Sequence, residues 1–253
     1  MSNQPFSYAT PTSAIRVFCG FNRPELNESQ FFTQLGQTFM PGTPYMLQPL
    51  GLAAYLPGVV SNPPAGLPHE FALICYPSPA AWRHASSETL RGRVYTQTHG
   101  GVYASPPSGA SFPILMDELP PTAVDPFFLF PTDIDWQYGV THVLIGLKKD
   151  ATQTGSQFRA ALRAALAGLV PRLKQGRVDQ VVAMARDDFA IVWFHGESAE
   201  FPDPIDPVSQ LLNHPQSLLH ERVICQDEPP TVTINRSQAF NFIFVREPRF
   251  FLQ

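Results

Sequence analysis

The chain has 253 residues, of which 44% are apolar, so it is long enough for one large or two small domains with a packed core and is not a disordered chain. Charged residues make up only 15%, against an average of about 25%, and the net charge of −4 comes without a block of Lys or Arg. This composition excludes nucleic acid and anionic membranes as partners, and the 27 prolines predict long, stiff loops.

The first half predicts six elements in the order β-α-β-β-α-β. The first helix carries Phe31, Phe32, Leu35 and Phe39 on one face, and Asn27 is its expected N-cap. Runs rich in β-branched and aromatic residues predict the strands. The predicted elements are the strand Arg16–Phe21, the helix Asn27–Phe39, the strands Leu52–Leu56 and Phe71–Tyr76, the helix Ala80–Val94 and the strand Phe112–Asp117.

The second half predicts the same six elements in the same order. A short turn at Arg186–Asp188 joins its two middle strands into a hairpin. The predicted elements are the strand His142–Leu147, the helix Ser156–Leu169, the strands Val181–Ala185 and Phe189–Phe194, the helix Val208–Val223 and the strand Ala239–Arg246.

Four segments of the first half recur in the second half in the same order, which indicates an internal repeat. The matching pairs are Arg16–Arg23 with His142–Lys149, Ser29–Phe31 with Ser156–Phe158, Phe71–Tyr76 with Phe189–Phe194, and Thr89–Tyr95 with Leu218–Ile224. We therefore predict an α+β fold of two tandem ferredoxin-like repeats, each an antiparallel sheet with two helices on one face. The expected boundaries are 14–118 and 140–247, and the Pro-rich linker 119–139 is expected to pack onto the fold.

Three cysteines, Cys19, Cys75 and Cys225, are an odd number and form no CxxC pair. They predict buried thiols in a reducing compartment and not a disulfide framework or a zinc site. The first residues lack the basic and apolar regions of a signal peptide, and no apolar run approaches the roughly 18 residues of a membrane helix. We expect a soluble, cytoplasmic protein that binds no metal.

The repeated plan, with an aromatic strand end that runs into a helix start at Tyr76-Pro-Ser-Pro-Ala-Ala-Trp82, resembles the dimeric α/β-barrel superfamily. Its members include antibiotic-biosynthesis monooxygenases, aromatic polyketide cyclases, haem-degrading enzymes and the chlorite dismutase group. The resemblance implies an α/β barrel with a ligand cavity between two open sheet faces. Because each bare face needs a cover, the two repeats are expected to close on each other or on a second copy, and a homodimer is predicted.

Residue alternation along the first strand of each repeat separates an apolar set from a mixed set. If the apolar sets face the helices, Arg16 and Phe18 line the cavity, together with His142 and Leu144 of the second repeat. His142 is then a candidate general base or acid, and Arg16 a candidate for binding a carboxylate or enolate oxygen. The alternative is a structural pair that forms hydrogen bonds across the sheet interface.

Further candidates come from the third strand of the second repeat and from a glycine-rich segment. Trp193 and His195 share a strand face and are expected to flank the cavity mouth, with His195 as a further candidate catalytic residue. His99 and Tyr103 enclose a Gly-Gly-Val segment that is expected to form a loop able to close a pocket. Alternatively, Trp193 is core packing, His195 a surface histidine and the loop a simple turn.

These features predict a cofactor-independent enzyme that acts on a small apolar or aromatic molecule in the barrel. The expected chemistry is acid–base catalysis of a cyclisation, dehydration, isomerisation or oxygenation. One alternative is a haem enzyme of the chlorite dismutase type, for which the resemblance implies a histidine ligand in the second repeat, here His214 or His220. Another is a non-catalytic binding or stress protein with a filled barrel.

Overall fold

The structure is a computed structural model, and it describes most of the chain between residues 15 and 246. The described ranges are 15–60, 62–104, 108–120, 122–130, 134, 136, 139–176, 178–197, 206–220, 222–225, 240–241 and 243–246, with side chains described up to 213, except those of 108–111, and at 215. The fold is α+β with two mainly antiparallel sheets, each of which has one parallel strand pair at an edge. No helix within these ranges combines the length and the apolar character needed to cross a membrane.

The first half alternates strands with broken helices. Helix α1 is followed by a π-helical turn (Leu35–Phe39), and a second π-helical turn (His84–Glu88) separates α3 from α4. The elements are β1 (Ile15–Gly20), α1 (Glu28–Gln34), α2 (Met40–Leu47), β2 (Ala54–Val59), β3 (Glu70–Cys75), α3 (Pro79–Arg83), α4 (Leu90–Val102), β4 (Ser108–Ser111), β5 (Ile114–Leu115) and β6 (Phe127–Phe128).

The second half contains one long helix and longer strands. Its second helix has only four residues. The elements are β7 (Val140–Lys148), α5 (Gly155–Gln175), β8 (Val178–Ala185), β9 (Phe189–Gly196), α6 (Asp206–Ser209), β10 (Leu212–His220), β11 (Arg222–Cys225), β12 (Phe240–Asn241) and β13 (Ile243–Arg246).

Strands from other parts of the chain extend one edge of each sheet. The first sheet has the order β11-β13-β2-β3-β1-β4, with β12 also paired to β2, so segments from the end of the chain extend the sheet of the first half. The second sheet has the order β10-β7-β9-β8-β6-β5, so strands from the region between the halves extend it. Neither sheet closes into a barrel in the part of the chain that the structure describes.

The two sheets pack face to face, and helices cover their outer faces. Between the sheets, Phe71 and Trp193 meet edge to face with ring centroids 5.9 Å apart, and Phe21 meets Phe189 at 6.2 Å. The outer face of the first sheet packs against α1, α2 and α4, and that of the second sheet against α5. The described residues therefore form three apolar cores, and the one between the sheets contains Val17, Cys19, Leu73, Cys75, Val143, Ile145, Val182, Ile191 and Trp193.

Several predicted elements are confirmed by the structure. Asn27 caps α1 in a capping box with Gln30, and the predicted turn at Arg186–Asp188 joins β8 to β9. The region between the halves packs onto the fold through Phe127 and Phe130, which are both buried. Cys19 and Cys75 are buried thiols as expected, whereas the side chain of Cys225 lies outside the described residues.

Other predicted elements are wrong. The predicted helix Val208–Val223 is mostly the strand β10, because this segment pairs with β7 over its length. The predicted loop from His99 to Tyr103 is the last turn of α4, with Tyr103 as its C-cap. The predicted last strand Ala239–Arg246 does form strands, but they pair with β2 of the first sheet.

The prediction that Arg16, Phe18, His142 and Leu144 line the space between the sheets is also wrong. Phe18 packs on the helix side of the first sheet, Leu144 packs on the helix side of the second, and Arg16 and His142 alternate with them on the same faces. The inner faces of the two sheets meet each other in an apolar core, whereas the outer faces lie against the helices. The purely apolar residues therefore lie between the sheets: Val17, Cys19, Val143 and Ile145.

Candidate functional site

A cavity of about 540 Å³ lies on the helix side of the first sheet, between α1–α2 and α4. This helix-side cavity has the size of a typical small-molecule site. Gly42 of α2 and Gly101 of α4 are both part of its wall, and a Cβ atom at either position would meet no atom within 4 Å. The other residues of the wall are Gln34, Thr38, Phe39, Tyr45, Met46, Tyr95, Thr98 and Val102.

A chain of buried hydroxyl groups leads from the cavity wall to a buried carboxyl group. The hydroxyl oxygens of Tyr95 and Thr43 are 2.6 Å apart, and Thr43 also forms a hydrogen bond with the Tyr55 hydroxyl. Tyr55 in turn donates to Oε1 of Glu70 at 2.7 Å, and Tyr103 donates to Oε2. These five side chains come from α2, β2, β3 and α4, so the packing of the helices on the first sheet assembles the chain.

Glu70 is fully buried, and desolvation by burial raises the pKa of its carboxyl group to about 8, with the hydrogen bond from Tyr55 acting in the opposite direction. Burial also raises the pKa values of Tyr55 and Tyr95 well above the ordinary value of a phenol. At neutral pH the carboxyl group is therefore mostly protonated, and the phenols are neutral.

A glycine of β1 makes room for this arrangement. Gly20 lies opposite Glu70 in the β1–β3 register, and a Cβ atom on Gly20 would overlap the ring of Tyr103. The missing side chain lets the Tyr103 ring lie over the sheet, where its hydroxyl reaches Glu70.

His99 packs directly behind the cavity wall. Its ring lies 4.8 Å from that of Phe39 and 5.0 Å from that of Tyr95, and both of these side chains line the cavity. Its Nδ1 is 3.1 Å from the carbonyl oxygen of Thr96 and 3.2 Å from that of Tyr95, so Nδ1 carries the proton and Nε2 carries the lone pair. Burial lowers the pKa of His99, which keeps the imidazole neutral at neutral pH.

The structure brings three of the residues predicted for the site to this region, Phe18, His99 and Tyr103, whereas Arg16 packs against Trp82. Phe18 contacts the rings of both His99, at 5.6 Å, and Tyr103, at 5.3 Å. The Arg16 guanidinium lies 3.3 Å from the centre of the Trp82 ring, which is a cation–π contact. Burial lowers the pKa of Arg16 to about 10, so the side chain is still a cation at neutral pH.

His142, Leu144, Trp193 and His195 belong to the second sheet and lie away from the helix-side cavity. Trp193 is fully buried in the core between the sheets. His142 lies on the outer face of the second sheet, where its register partner on β9 is Phe194. The predicted set therefore does not form one site.

His195 forms a pair that the sequence did not predict. Its Nδ1 lies 2.5 Å from Oδ1 of Asp179, and its ring packs edge to face on Trp136 at 5.0 Å. The carboxylate orients the imidazole as in many catalytic pairs.

The catalytic roles given to His195, His142 and Arg16 stay predictions. The haem-ligand candidates His214 and His220 lie on β10, and their side chains are outside the described residues.

Comparisons with known proteins give structural matches alone. No family model matches the chain, and a search of curated proteins finds no match. Two solved structures described as "putative monooxygenase" are similar to it. The one from Lactobacillus acidophilus NCFM has 6% identity and a TM-score of 0.34, and the match covers 81% of this chain and 91% of that chain. The one from Fusobacterium nucleatum has 6% identity and a TM-score of 0.40, and the match covers 80% of this chain and 88% of that chain. An anthrone oxidase-like protein is similar with 12% identity, a TM-score of 0.29, and coverage of 81% and 88%.

All three TM-scores lie below 0.5, so these likenesses say nothing of the chemistry of this chain.

The helix-side cavity combines an apolar wall with neutral acid–base groups. Neutral phenols can donate hydrogen bonds to a developing oxyanion, and a neutral imidazole can accept a proton. Among the described residues, no group of three His, Cys, Asp or Glu side chains could hold a metal ion.

Sequence reasoning missed Glu70, Tyr55 and Thr43. No motif marks them, because they come from separate elements. One signal was present: Glu70 is an acidic residue directly before the apolar run Phe71–Cys75. An acid at the start of a strand that is buried on both faces is rarely without a hydrogen-bond partner.

Proposed function

We propose that the helix-side cavity binds a small, uncharged, largely apolar molecule, such as an aromatic ketone or phenol, and that the chain moves a proton on this ligand without an organic cofactor. The cavity itself is the observation that carries the proposal. Its wall is built from aromatic, aliphatic and uncharged polar side chains, with Phe39, Tyr45 and Tyr95 available to pack against a flat ring. Such a wall favours a neutral ligand, because a charged one would lose its hydration without compensation.

The acid–base groups around the cavity fit an enolisable ligand. His99 offers a neutral imidazole behind the wall, and Tyr95 is part of the wall, with its hydroxyl bonded to Thr43. Removal of a proton next to a carbonyl group gives an enolate, whose oxygen a phenol can stabilise. The enolate is the common starting point for cyclisation, dehydration, isomerisation or, with dioxygen as co-substrate, oxygenation.

We also propose that the two halves derive from one repeated ferredoxin-like unit. The support is that the central strands of the two sheets follow the same spatial order, β4-β1-β3-β2 and β10-β7-β9-β8. The described cavity lies on the helix side of the first sheet, and all of its lining residues belong to the first half, where we place the proposed activity.

The cavity glycines test the binding proposal. A Leu side chain at Gly101 would enter the cavity without a clash at Cβ, so Gly101→Leu is expected to weaken binding of anthrone, a tricyclic aromatic ketone, at least about tenfold, which corresponds to about 1.4 kcal/mol. Binding is measured by fluorescence titration.

Gly100→Leu is the matched control. Gly100 is the preceding residue of α4, a Cβ there also meets no atom within 4 Å, and it is not part of the cavity wall. The control is expected to bind anthrone like the unmodified chain. Equal binding by the Gly101 and Gly100 variants would show that the ligand does not occupy this cavity.

A further inference from the structure

The hydroxyl groups behind the cavity wall form a continuous path, and Tyr95 is the one member that also lines the cavity. We name Tyr95, Thr43 and Tyr55 the hydroxyl relay. Each of its links is a hydrogen bond between side chains: Tyr95 to Thr43 at 2.6 Å, Thr43 to Tyr55, and Tyr55 to Glu70 at 2.7 Å. We propose that the hydroxyl relay carries a proton from a ligand in the helix-side cavity to Glu70, which is the terminal proton acceptor of the site.

The residues of the relay are buried and held in place. Thr43 and Tyr55 are 1% and 2% exposed, so bulk water does not compete for their hydrogen bonds. The Thr43 hydroxyl donates to the carbonyl oxygen of Phe39 at 3.0 Å, and it turns towards Tyr55 when it passes a proton along the relay. Buried networks of this kind are costly unless every member is satisfied, and here each hydroxyl has a partner.

The transfer is balanced in protons and charge. The C–H bond next to the ligand carbonyl breaks, and its electron pair stays on the ligand as the enolate. The proton adds to the Tyr95 oxygen while the Tyr95 proton moves to Thr43, the Thr43 proton to Tyr55 and the Tyr55 proton to the Glu70 carboxylate. The three hydroxyls are unchanged at the end, and one negative charge has moved from Glu70 to the ligand.

The surroundings of Glu70 suit a group that exchanges a proton at mildly alkaline pH. The titratable groups that face it from the elements packed around it are phenols: Tyr55 of β2, and Tyr95 and Tyr103 of α4 and its end. The thiol of Cys19 lies on the other face of β1, between the sheets. Burial lowers the pKa values of the imidazoles of His69 and His99, so both are neutral in this range. The Tyr103 hydroxyl bonds the second carboxyl oxygen and stabilises the anionic form.

The first arm of the test uses the protein without ligand. Infrared spectroscopy at neutral pH follows the protonated Glu70 carboxyl band, identified by its loss in Glu70→Gln, as the protein is transferred into D₂O. Thr43→Val and Tyr95→Phe are expected to slow exchange of this proton, and Thr43→Ser to restore it. Thr38→Val, which alters the cavity wall but not the relay, is the control. Unchanged exchange in both Thr43→Val and Tyr95→Phe would overturn the relay.

The second arm rests on the proposed function and follows exchange of the methylene protons of anthrone with D₂O by NMR. The protein-dependent rate is expected to rise with pH through about 8, as the Glu70 carboxylate forms. Glu70→Gln and Tyr95→Phe should lower the rate by about 10²–10⁴-fold and remove the rise. Thr33→Val, at an exposed position of α1 outside both the cavity wall and the relay, should keep the rate and its rise.

The two arms separate the two proposals. A rise with pH that persists in Glu70→Gln would overturn Glu70 as the proton acceptor. Slowed carboxyl exchange in the first arm, combined with no anthrone binding by the unmodified chain, would overturn the proposed function and support the relay as a path between cavity and carboxyl group.

Discussion

Glu70 shows how one buried side chain couples the fold to pH. Its carboxyl group lies in the apolar layer beneath the helices, and the hydroxyls of Tyr55 and Tyr103 are its hydrogen-bond partners. A Gln at this position keeps the size of the side chain and can still bond both phenols, but it cannot ionise. A comparison with Glu70→Gln therefore separates the effect of the carboxylate charge on stability from the effect of the size and shape of the side chain.

We expect the stability of the protein to fall as pH rises from about 5 to about 8, and Glu70→Gln to reduce this fall. The pKa of Glu70 is raised to about 8 in the folded chain, so between its unfolded and folded pKa values the folded state holds a proton that the unfolded state has lost. The contribution is at most about 1.4 kcal/mol per pH unit. Urea denaturation at several pH values measures the free energy of unfolding of both proteins. If this free energy falls equally with pH in the unmodified protein and in Glu70→Gln, the prediction is wrong.

At the scale of elements, the predictions that depend on neighbouring residues are correct. The element that depends on strand pairing, β10, was predicted wrongly. The cap at Asn27, the hairpin at Arg186–Asp188 and the helix that begins near Ser156 follow from neighbouring residues alone. The segment after Val208 has helix-like leucines, but it becomes the strand β10 because the edge of β7 offers it a full ladder of hydrogen bonds. Such an edge is not visible in the sequence of the segment itself.

Helix α5 is expected to depend on its N-terminal cap. The Thr154 hydroxyl accepts from the backbone N–H of Gln157, and the Gln157 side chain accepts from the backbone N–H of Thr154. Thr154→Ala removes one half of this capping box and should cost about 1 kcal/mol, whereas Thr154→Ser keeps the hydroxyl and should cost little. Chemical denaturation compares the variants. Equal losses for Ala and Ser would show that the hydroxyl does not stabilise the helix.

For the whole molecule, alternation along the strands predicted two faces for each sheet but not which face meets the helices. Both faces are buried, so the decision depends on what covers them. The apolar sets of β1 and β7 face each other, and the sheets of one chain cover their own inner faces. The homodimer stays a prediction.

The candidate site could be predicted only in part. His99 and Tyr103 are close in sequence, whereas Thr43, Tyr55 and Glu70 meet through packing of separate elements.

The two halves are expected to unfold together in one transition. They share the core between the sheets, and β13 from the end of the chain pairs with β2 of the first half. Trp136 and Trp193 lie in the shared core and Trp82 does not, so fluorescence of the Trp82→Phe variant reports on the contact between the sheets. Its denaturation midpoint should coincide with that of the far-ultraviolet circular dichroism, which reports on the helices. A fluorescence change that precedes the loss of helix would show that the sheets separate before either half unfolds.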